Sequence, residues 1–168
     1  MLLSFAACGE KDNTPETPEI PESEQAEQTE LEFPKYEPVT IGDCVIDFDS
    51  AELVDFYGDG FSRLHVYYTF TNNAAEEKSA GQMVFVTAKA GDNTIKEAEY
   101  PKDKAPEEQT NVYKKIAPGE SIRCLVILGY DGTQAESVEV TIMDMYHQAE
   151  DSLVLNIAAA DLPIVNNR

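Results

Sequence analysis

Tryptophan is absent from the 168-residue chain, and basic residues are few. Only 12 lysines and arginines stand against 32 aspartates and glutamates, which gives a formal charge of −20 at pH 7. A chain this acidic repels a phosphate backbone, so nucleic-acid binding is excluded from the expected functions. The same charge disfavours electrostatic attachment to anionic lipid. We expect most of the acidic residues to form a solvated surface.

The sequence also lacks recognisable catalytic motifs. It contains no C-x-x-C, H-E-x-x-H, G-x-S-x-G or P-loop pattern. Gly119-Glu120-Ser121 has no second glycine and precedes a predicted strand, so we interpret it as a turn. The two histidines, His65 and His147, are not related by any metal-ligand spacing. We therefore expect a non-enzymatic protein with no cofactor and no metal, although a catalytic triad is defined by geometry rather than by sequence.

The first eight residues read MLLSFAAC, a short apolar run followed by two alanines and a cysteine. This resembles the end of a bacterial lipoprotein signal peptide, in which an apolar box precedes a lipid-modified cysteine. The run is too short for a membrane span and has no basic leader, so the true translation start is expected further upstream. The prediction is a truncated signal peptide over residues 1–8 with lipidation at Cys8. The alternative is a fortuitous apolar start on a cytoplasmic protein.

Residues 9–39 are a low-complexity segment rich in proline and acid. They contain five prolines, ten acidic residues and two lysines, a net charge of −8. Few apolar residues and many like charges cannot offset the entropy of ordering, so a disordered tether is predicted. Repeated proline and self-repulsion should extend it to more than about 30 Å. Such a tether would hold a folded domain away from an anionic membrane.

The clearest pattern of the chain lies in residues 63–73, RLHVYYTFTNN. Apolar and aromatic residues alternate with polar ones, which is typical of a half-buried strand. The inward face is predicted to carry Leu64, Val66, Tyr68 and Phe70. The outward face carries Arg63, His65 and Tyr67, which are candidates for surface binding because exposed tyrosine and arginine are frequent hot spots. Coverage of this face by the charged loop at 101–110 is the alternative.

Similar short runs, separated by turn signals, follow along the rest of the chain. Strands are predicted at 44–49, 63–71, 82–90, 94–99, 111–116, 121–130, 138–142 and 153–157. The 82–90 strand is apolar on both sides and is expected to be a covered central strand. Seven to eight short strands and no long helix predict an all-β, immunoglobulin-like antiparallel sandwich over residues 40–160, with a frayed tail over 161–168.

Two segments of the predicted domain resemble a known family. YYTFTNNAAEE (residues 67–77), followed about forty residues later by KIAPGESIRC (115–124), is similar to DUF5067 and DUF4352 domains. These are immunoglobulin-like domains of lipoproteins, found mainly in Gram-positive bacteria. The resemblance implies an extracytoplasmic module with no established activity and no catalytic residues to transfer.

Cys44 and Cys124 both fall on the predicted inward face of their strands. A disulfide between the two sheets is therefore possible, and an exported chain would permit it. The alternative is two buried free thiols, because cysteine packs as a small hydrophobic residue. The family resemblance does not decide between them.

Several aspartates could place oxygen ligands near one end of the sandwich: Asp43, Asp47, Asp49, Asp55 and Asp59. Ca²⁺ prefers such ligands, but the spacing fits no EF-hand loop, and a solvated acidic rim is the favoured interpretation.

The leading hypothesis is a non-enzymatic, lipid-anchored protein on the extracytoplasmic face of the cell membrane. Its domain would bind an unknown protein or an envelope component. The alternative is a module that binds a small molecule or a cation in the envelope.

Overall fold

A computed structural model of the chain describes residues 35–55, 62–130, 136–162 and 164–166. Cys8, most of the predicted tether, and the segments 56–61 and 131–135 between strands lie outside these ranges. The described residues form nine strands: β1 (Val39–Ile41), β2 (Cys44–Asp55), β3 (Arg63–Asn72), β4 (Val84–Ala90), β5 (Asn93–Ile95), β6 (Ser121–Leu128), β7 (Val138–Asp144), β8 (Ser152–Ile157) and β9 (Ile164–Asn166). Two short helices, α1 (Ala80–Met83) and α2 (Glu107–Asn111), and one 3-10 turn (Ala159–Asp161) complete the list.

The strands form two sheets. One contains five strands in the order β1-β2-β3-β6, with β9 also pairing with β2, and the other contains four in the order β5-β4-β7-β8. All pairs are antiparallel except β2 with β9. The predicted all-β sandwich is therefore confirmed.

The core lies between the two sheets and follows the alternation in the sequence. Leu64, Val66, Tyr68 and Phe70 of β3 are all buried, as their period of two predicts. The second sheet contributes alternating residues of β7 and β8 to the same core, including Val140 and Leu155. Each large apolar side chain that is fully buried in this way stabilises the fold by about 1.5–3 kcal/mol.

The turn predicted directly before β6 is also present. Glu120 N–H donates to the Ala117 carbonyl at 3.1 Å, and Gly119 has a φ of 81°. Proline followed by a glycine with positive φ is the signature of a type II turn. Gly119 N–H then donates to the carbonyl of Asn72, which fastens this turn to the end of β3.

The strand predicted over 111–116 is wrong. Residues Glu107–Asn111 form α2 instead, and of the predicted strand only Ile116 makes a bridge, to Lys78. Pro106 stands at the helix N-cap with two glutamates in the first turn, a favourable helix start. Similarly, residues 80–83, in part assigned to the 82–90 strand, form α1, where the Gln82 side chain accepts a hydrogen bond from the Ser79 N–H at 3.2 Å.

The prediction of a frayed C-terminal tail is wrong as well. Ile164, Val165 and Asn166 pair in parallel with Leu53, Val54 and Asp55 of β2. The outer edge of β2 is open at that position because β1 covers only its other end. The backbone of this segment pairs with N–H and C=O groups at the edge of β2 that would otherwise be unpaired.

Candidate functional site

His65 lies on the outward face of β3, as predicted, but it is not at the surface. Its side chain is only 1% exposed. The segment 96–112, which contains α2, covers this face of the sheet, and Tyr100 places its hydroxyl 2.8 Å from His65 Nε2. The prediction of His65 as a surface-binding residue is therefore wrong. A period of two assigns a residue to one side of a sheet, but it does not reveal what else covers that side.

The covering segment has its own small apolar cluster. Tyr100 packs with Leu125 and Ile127, which are the outward-facing apolar residues of β6. The segment is held by three hydrogen bonds to the β6 edge: Ala98 N–H to Ile127 O at 2.8 Å, Gly129 N–H to Lys96 O at 2.9 Å, and Asn111 Nδ2 to Arg123 O at 3.0 Å. The apolar character of both faces of β6 is explained by burial on both sides.

A polar network surrounds His65 beneath this cover. Tyr67 donates a hydrogen bond from its hydroxyl to Glu52 at 2.8 Å, and His65 Nδ1 lies 3.5 Å from the same hydroxyl. Burial and the nearby Arg63 charge lower the pKa of His65 to about 4. His65 is therefore neutral at pH 7. Because the Tyr67 hydroxyl donates to Glu52, the tautomer that fits both contacts has the proton on Nδ1, facing the Tyr67 oxygen, and Nε2 accepting from Tyr100.

Arg123 lies at the solvent-exposed side of this network. Its guanidinium lies 4.1 Å from the centre of the Tyr67 ring, and it pairs with Asp49 at 3.2 Å and Glu108 at 3.3 Å. Burial and the hydrogen bond to Glu52 raise the pKa of Tyr67 well above its usual value. Tyr67 and Arg63 are half-buried. Of the three residues predicted to form a binding surface, His65 and Tyr67 therefore belong to a structural network, and Arg63 lies half-buried on the same strand.

Cys44 and Cys124 are buried free thiols in the same sheet, which favours the second of the two alternatives over a disulfide between sheets. Cys44 pairs with Asn72 and Cys124 with Tyr68, on opposite sides of β3. Two strand spacings alone separate the cysteines by about 9–10 Å, beyond the about 7 Å that a disulfide spans. Burial raises the pKa of both thiols to about 12, which makes them unreactive.

The residues proposed for a cation are dispersed or engaged in other contacts. Asp49 pairs with Arg123 and accepts a hydrogen bond from Thr69, and Asp59 lies outside the described residues. Among the residues that the structure describes, no group of three acidic, histidine or cysteine side chains is arranged to hold a metal ion. His147 lies in the loop after β7 of the four-stranded sheet, whereas His65 lies in β3 of the five-stranded sheet.

The outer face of the four-stranded sheet differs from the covered face. Phe85 of β4 is 41% exposed and Val154 of β8 is 42% exposed. Between them lies β7, where Met143 stands opposite Phe85 and Thr141 opposite Val154. The expectation that β4 is covered on both sides is therefore wrong. Of its outward side chains, Phe85 is apolar and exposed, whereas Thr87 and Lys89 are polar.

The loop after β7 adds the His147 ring to this surface and exposes Tyr146 next to it in the chain. Tyr146 is 70% exposed, and the His147 ring meets the Phe85 ring edge-on with 6.2 Å between centroids. His147 has a φ of 54°, a left-handed conformation that costs about 1–3 kcal/mol outside glycine. We call the surface formed by Phe85, Met143, Tyr146, His147 and Val154 the aromatic face.

Asp144 fixes the conformation of this loop. Its carboxylate accepts hydrogen bonds from the backbone N–H groups of Gln148 at 2.6 Å and Ala149 at 3.2 Å. The bond from Gln148 is the main reason that the pKa of Asp144 lies below its usual value. The loop therefore holds Tyr146 and His147 in a defined position, which reduces the entropy lost when a partner binds.

The sequence contained a signal for the aromatic face, but a weak one. Phe85, Met143 and Val154 occupy the strand positions that alternate with core residues, where polar residues would be ordinary. Three such positions on three separate strands become one surface only when the pairing of β4, β7 and β8 is known. Tyr146 lies in a connection that carries no periodicity.

Comparison with known proteins places the chain among uncharacterised domains. The family DUF5067, described as a domain of unknown function, matches residues 19–144. A comparison with curated proteins finds no match. Within the described ranges, no helix has the length and apolar character needed to cross a bilayer.

Solved structures share the fold. A candidate lipoprotein of Staphylococcus aureus superposes with a TM-score of 0.56 at 11% identity, over 77% of this chain and 97% of its own. A candidate lipoprotein of Bacillus subtilis gives 0.52 at 12% identity, over 74% of this chain and 39% of its own. A functionally unknown protein of Listeria monocytogenes gives 0.51 at 12% identity, over 78% and 86%. At these identities the likeness establishes the fold and not an activity.

Proposed function

This chain belongs to the DUF5067 family, whose function is unknown, and from its own surface we propose that it is a non-enzymatic, lipid-anchored envelope protein whose sandwich binds another protein or an envelope component. The observation that supports this proposal is the aromatic face. Phe85 and Val154 are exposed on the outer side of the sheet, and Tyr146 is exposed in the loop after β7. Exposed tyrosines and apolar residues grouped in this way are typical of binding surfaces.

The two outer faces of the sandwich support the choice of surface. The face of the five-stranded sheet is already occupied by the segment 96–112, which encloses His65 and Tyr100. The aromatic face has no equivalent cover among the described residues. The chain therefore covers one outer sheet face itself and leaves the aromatic face available to a partner.

The proposed anchor is the lipidated Cys8, followed by the acidic tether. The lipobox-like residues 1–8 and the composition of 9–39 support it, as does the resemblance in fold to two candidate lipoproteins. Stable anchoring needs more than one acyl chain. We expect protein exported through a signal peptide to partition into detergent, and Cys8→Ser to release it. Unchanged partitioning of the variant would contradict the anchor without affecting the binding surface.

The absence of catalysis stays a proposal. The two histidines support it, since His65 is enclosed and neutral while His147 contacts Phe85 rather than a nucleophile among the described residues. The alternative function, binding of a small molecule or a cation, is not favoured by a specific observation in the described part of the chain.

The test is crosslinking on intact cells, comparing the wild type with the double variant Phe85→Ala/Tyr146→Ala. Both residues are exposed, so the variant should fold. We expect its yield of crosslinked partner to fall by at least about tenfold, as for loss of a hot spot. Tyr113→Ala is the matched control, because Tyr113 is 68% exposed but lies after α2, away from the aromatic face. Equal yields for wild type and double variant, or an equal loss in the control, would refute the proposal.

A further inference from the structure

We propose that the open edge of β8 accepts an extended, cationic segment of a protein partner as an additional antiparallel or parallel strand. This inference rests on the proposed binding function and specifies the chemistry of the partner. Strand addition uses backbone hydrogen bonds for affinity and side chains for selectivity. Three features of the structure support it: the protected edges of the five-stranded sheet, the backbone of β8, and the charge around it.

The edges of the five-stranded sheet are protected by the chain itself. The β6 edge is covered by residues 96–98 and by the Asn111 side chain. The outer side of β2 is paired with β1 at one end and β9 at the other. Between these ends, the register of β2 with β3 shifts between Phe48 and Ser50. Natural proteins protect edges in these ways because an open edge recruits other strands.

Among the residues that the structure describes, the β8 edge is protected at one end only. The Tyr36 hydroxyl accepts a hydrogen bond from the Asn156 N–H at 3.0 Å and donates one to the Asn156 carbonyl at 3.1 Å. This shows that the backbone of Asn156 points away from β7. In an antiparallel pair such outward residues alternate, so Ser152 and Val154 present their N–H and C=O groups on the same side. Within the described ranges, β7 is the sole strand that pairs with β8.

The side chains at this edge continue the aromatic face. Val154 is exposed, and it lies opposite Thr141 of β7. A strand added beside β8 would place alternate side chains next to Val154, on the same surface as Phe85 and Met143. Apolar residues are expected at those positions of the partner.

The charge around β8 selects the partner. Residues 136–162 contain six acidic residues, Glu136, Glu139, Asp144, Glu150, Asp151 and Asp161, and no lysine or arginine. Lys89 is the single basic residue in β4, β7 and β8. Lysine and arginine beside the apolar positions of a partner strand would be attracted to this edge. A second copy of this chain also carries −20, so self-association through β8 is opposed by repulsion.

The experiment uses the full chain and a soluble nine-residue peptide of alternating valine and lysine, acetylated and amidated. Amide hydrogen exchange, followed by NMR, is measured with and without the peptide. In the free protein the Val154 N–H should exchange without protection, whereas Leu155, whose N–H points toward β7, should be protected. Saturation with the peptide should slow Val154 exchange at least about tenfold, as expected for a newly formed backbone hydrogen bond.

Two changes test the backbone contact specifically. Val154→Pro removes the outward N–H, and proline is tolerated at such edge positions. It should weaken peptide binding at least about tenfold, whereas Val154→Thr should retain it. If Val154→Pro fails to fold, the same test is made on the peptide: N-methylation of every second residue along one edge should abolish binding to the wild type. A glutamate-for-lysine peptide should not bind.

Other outcomes overturn the inference. Val154 protection in the free monomer would show that the chain covers its own edge, and a concentration-dependent dimer with the same protection would make the occupant a second copy. Equal binding of the N-methylated and unmodified peptides would exclude strand addition. Crosslinking that depends on Phe85 and Tyr146 but not on Val154→Pro would overturn strand addition while the proposed function stands. A crosslinking yield that does not depend on Phe85 and Tyr146 would instead refute the proposed function.

Discussion

His65 Nε2 lies 2.8 Å from the hydroxyl of Tyr100, a residue 35 positions further along the chain. This contact fastens the covering segment to the outer face of β3. It also turns an outward strand position into an interior one, where a histidine must remain neutral to avoid the cost of a buried charge. Several properties of the domain follow from such buried polar contacts and can be measured.

Tyr100→Phe should destabilise the domain by about 1–3 kcal/mol, because it leaves His65 Nε2 buried without its hydrogen-bond donor. Urea unfolding, followed by tyrosine fluorescence or circular dichroism, measures the change. Tyr113→Phe is the matched control: Tyr113 donates to Glu99 at 3.2 Å but is largely exposed. Its effect should stay within about 0.5 kcal/mol. Equal effects of the two substitutions would contradict the structural role of the Tyr100 hydroxyl.

The stability of the wild type should fall as the pH is lowered from 6.5 toward 4. The folded-state pKa of His65 is lowered to about 4, so between these values the unfolded chain binds a proton that the folded chain does not. Above pH 6.5 His65 is neutral in both states, so its titration does not change the free energy of unfolding. By pH 4, protonation of His65 in the unfolded chain lowers that free energy by up to about 3 kcal/mol.

Comparison with His65→Gln isolates this effect from the many carboxylates of the chain. Urea midpoints of both proteins are measured from pH 7.5 to 4. We expect the difference in unfolding free energy between wild type and variant to shrink with falling pH. Parallel curves would mean that the pKa of His65 is not lowered on folding.

Asn72→Ala should be among the most destabilising polar substitutions, at about 3 kcal/mol. The Asn72 amide donates to the carbonyls of Glu76 and Ile116, each at 2.9 Å, and its oxygen accepts from the Ala74 N–H at 3.0 Å. Asn73→Ala provides the control, because Asn73 is exposed. The melting temperatures of the two variants are compared by thermal unfolding. Similar values would contradict a stabilising role for the hydrogen bonds from Asn72 to Glu76 and Ile116.

The two buried cysteines should resist alkylation until the domain unfolds. In a Cys8→Ser background, the folded protein at pH 8 should take up no label, since burial raises the pKa of Cys44 and Cys124 to about 12. Denaturation without a reductant should then add two labels, seen by mass spectrometry. An unchanged mass after denaturation would reveal a disulfide and contradict the strand order.

Much of the fold was predictable because the residues that decide it are local in sequence. The alternation in β3 assigned Leu64 and Tyr68 to the core, and the Pro118-Gly119 pair predicted a tight turn. Errors arose where a distant partner decides the outcome. The 111–116 segment has an acceptable strand pattern, but it follows a helix that docks against β6, and Ile164 becomes a strand only because the edge of β2 is open.

The candidate site was less predictable than the fold for the same reason. The sequence indicated Arg63, His65 and Tyr67 as the exposed group, and it left coverage by the 101–110 loop as an alternative. The structure favours that alternative, since Tyr100 and Ala105 pack in the small cluster over the β3 and β6 face. Nothing local distinguishes an outward position facing water from one facing another segment of the chain.

The sequence by itself determined an acidic all-β domain, the inward face of its central strand and its family, because composition, alternation and turn residues are properties of neighbouring positions. The tertiary structure alone decided which outward faces are covered, that Cys44 and Cys124 lie on opposite sides of one strand, and that Phe85, Met143 and Val154 share the outer face of one sheet. These depend on strand order and on long-range packing, which bring together residues that no local pattern connects.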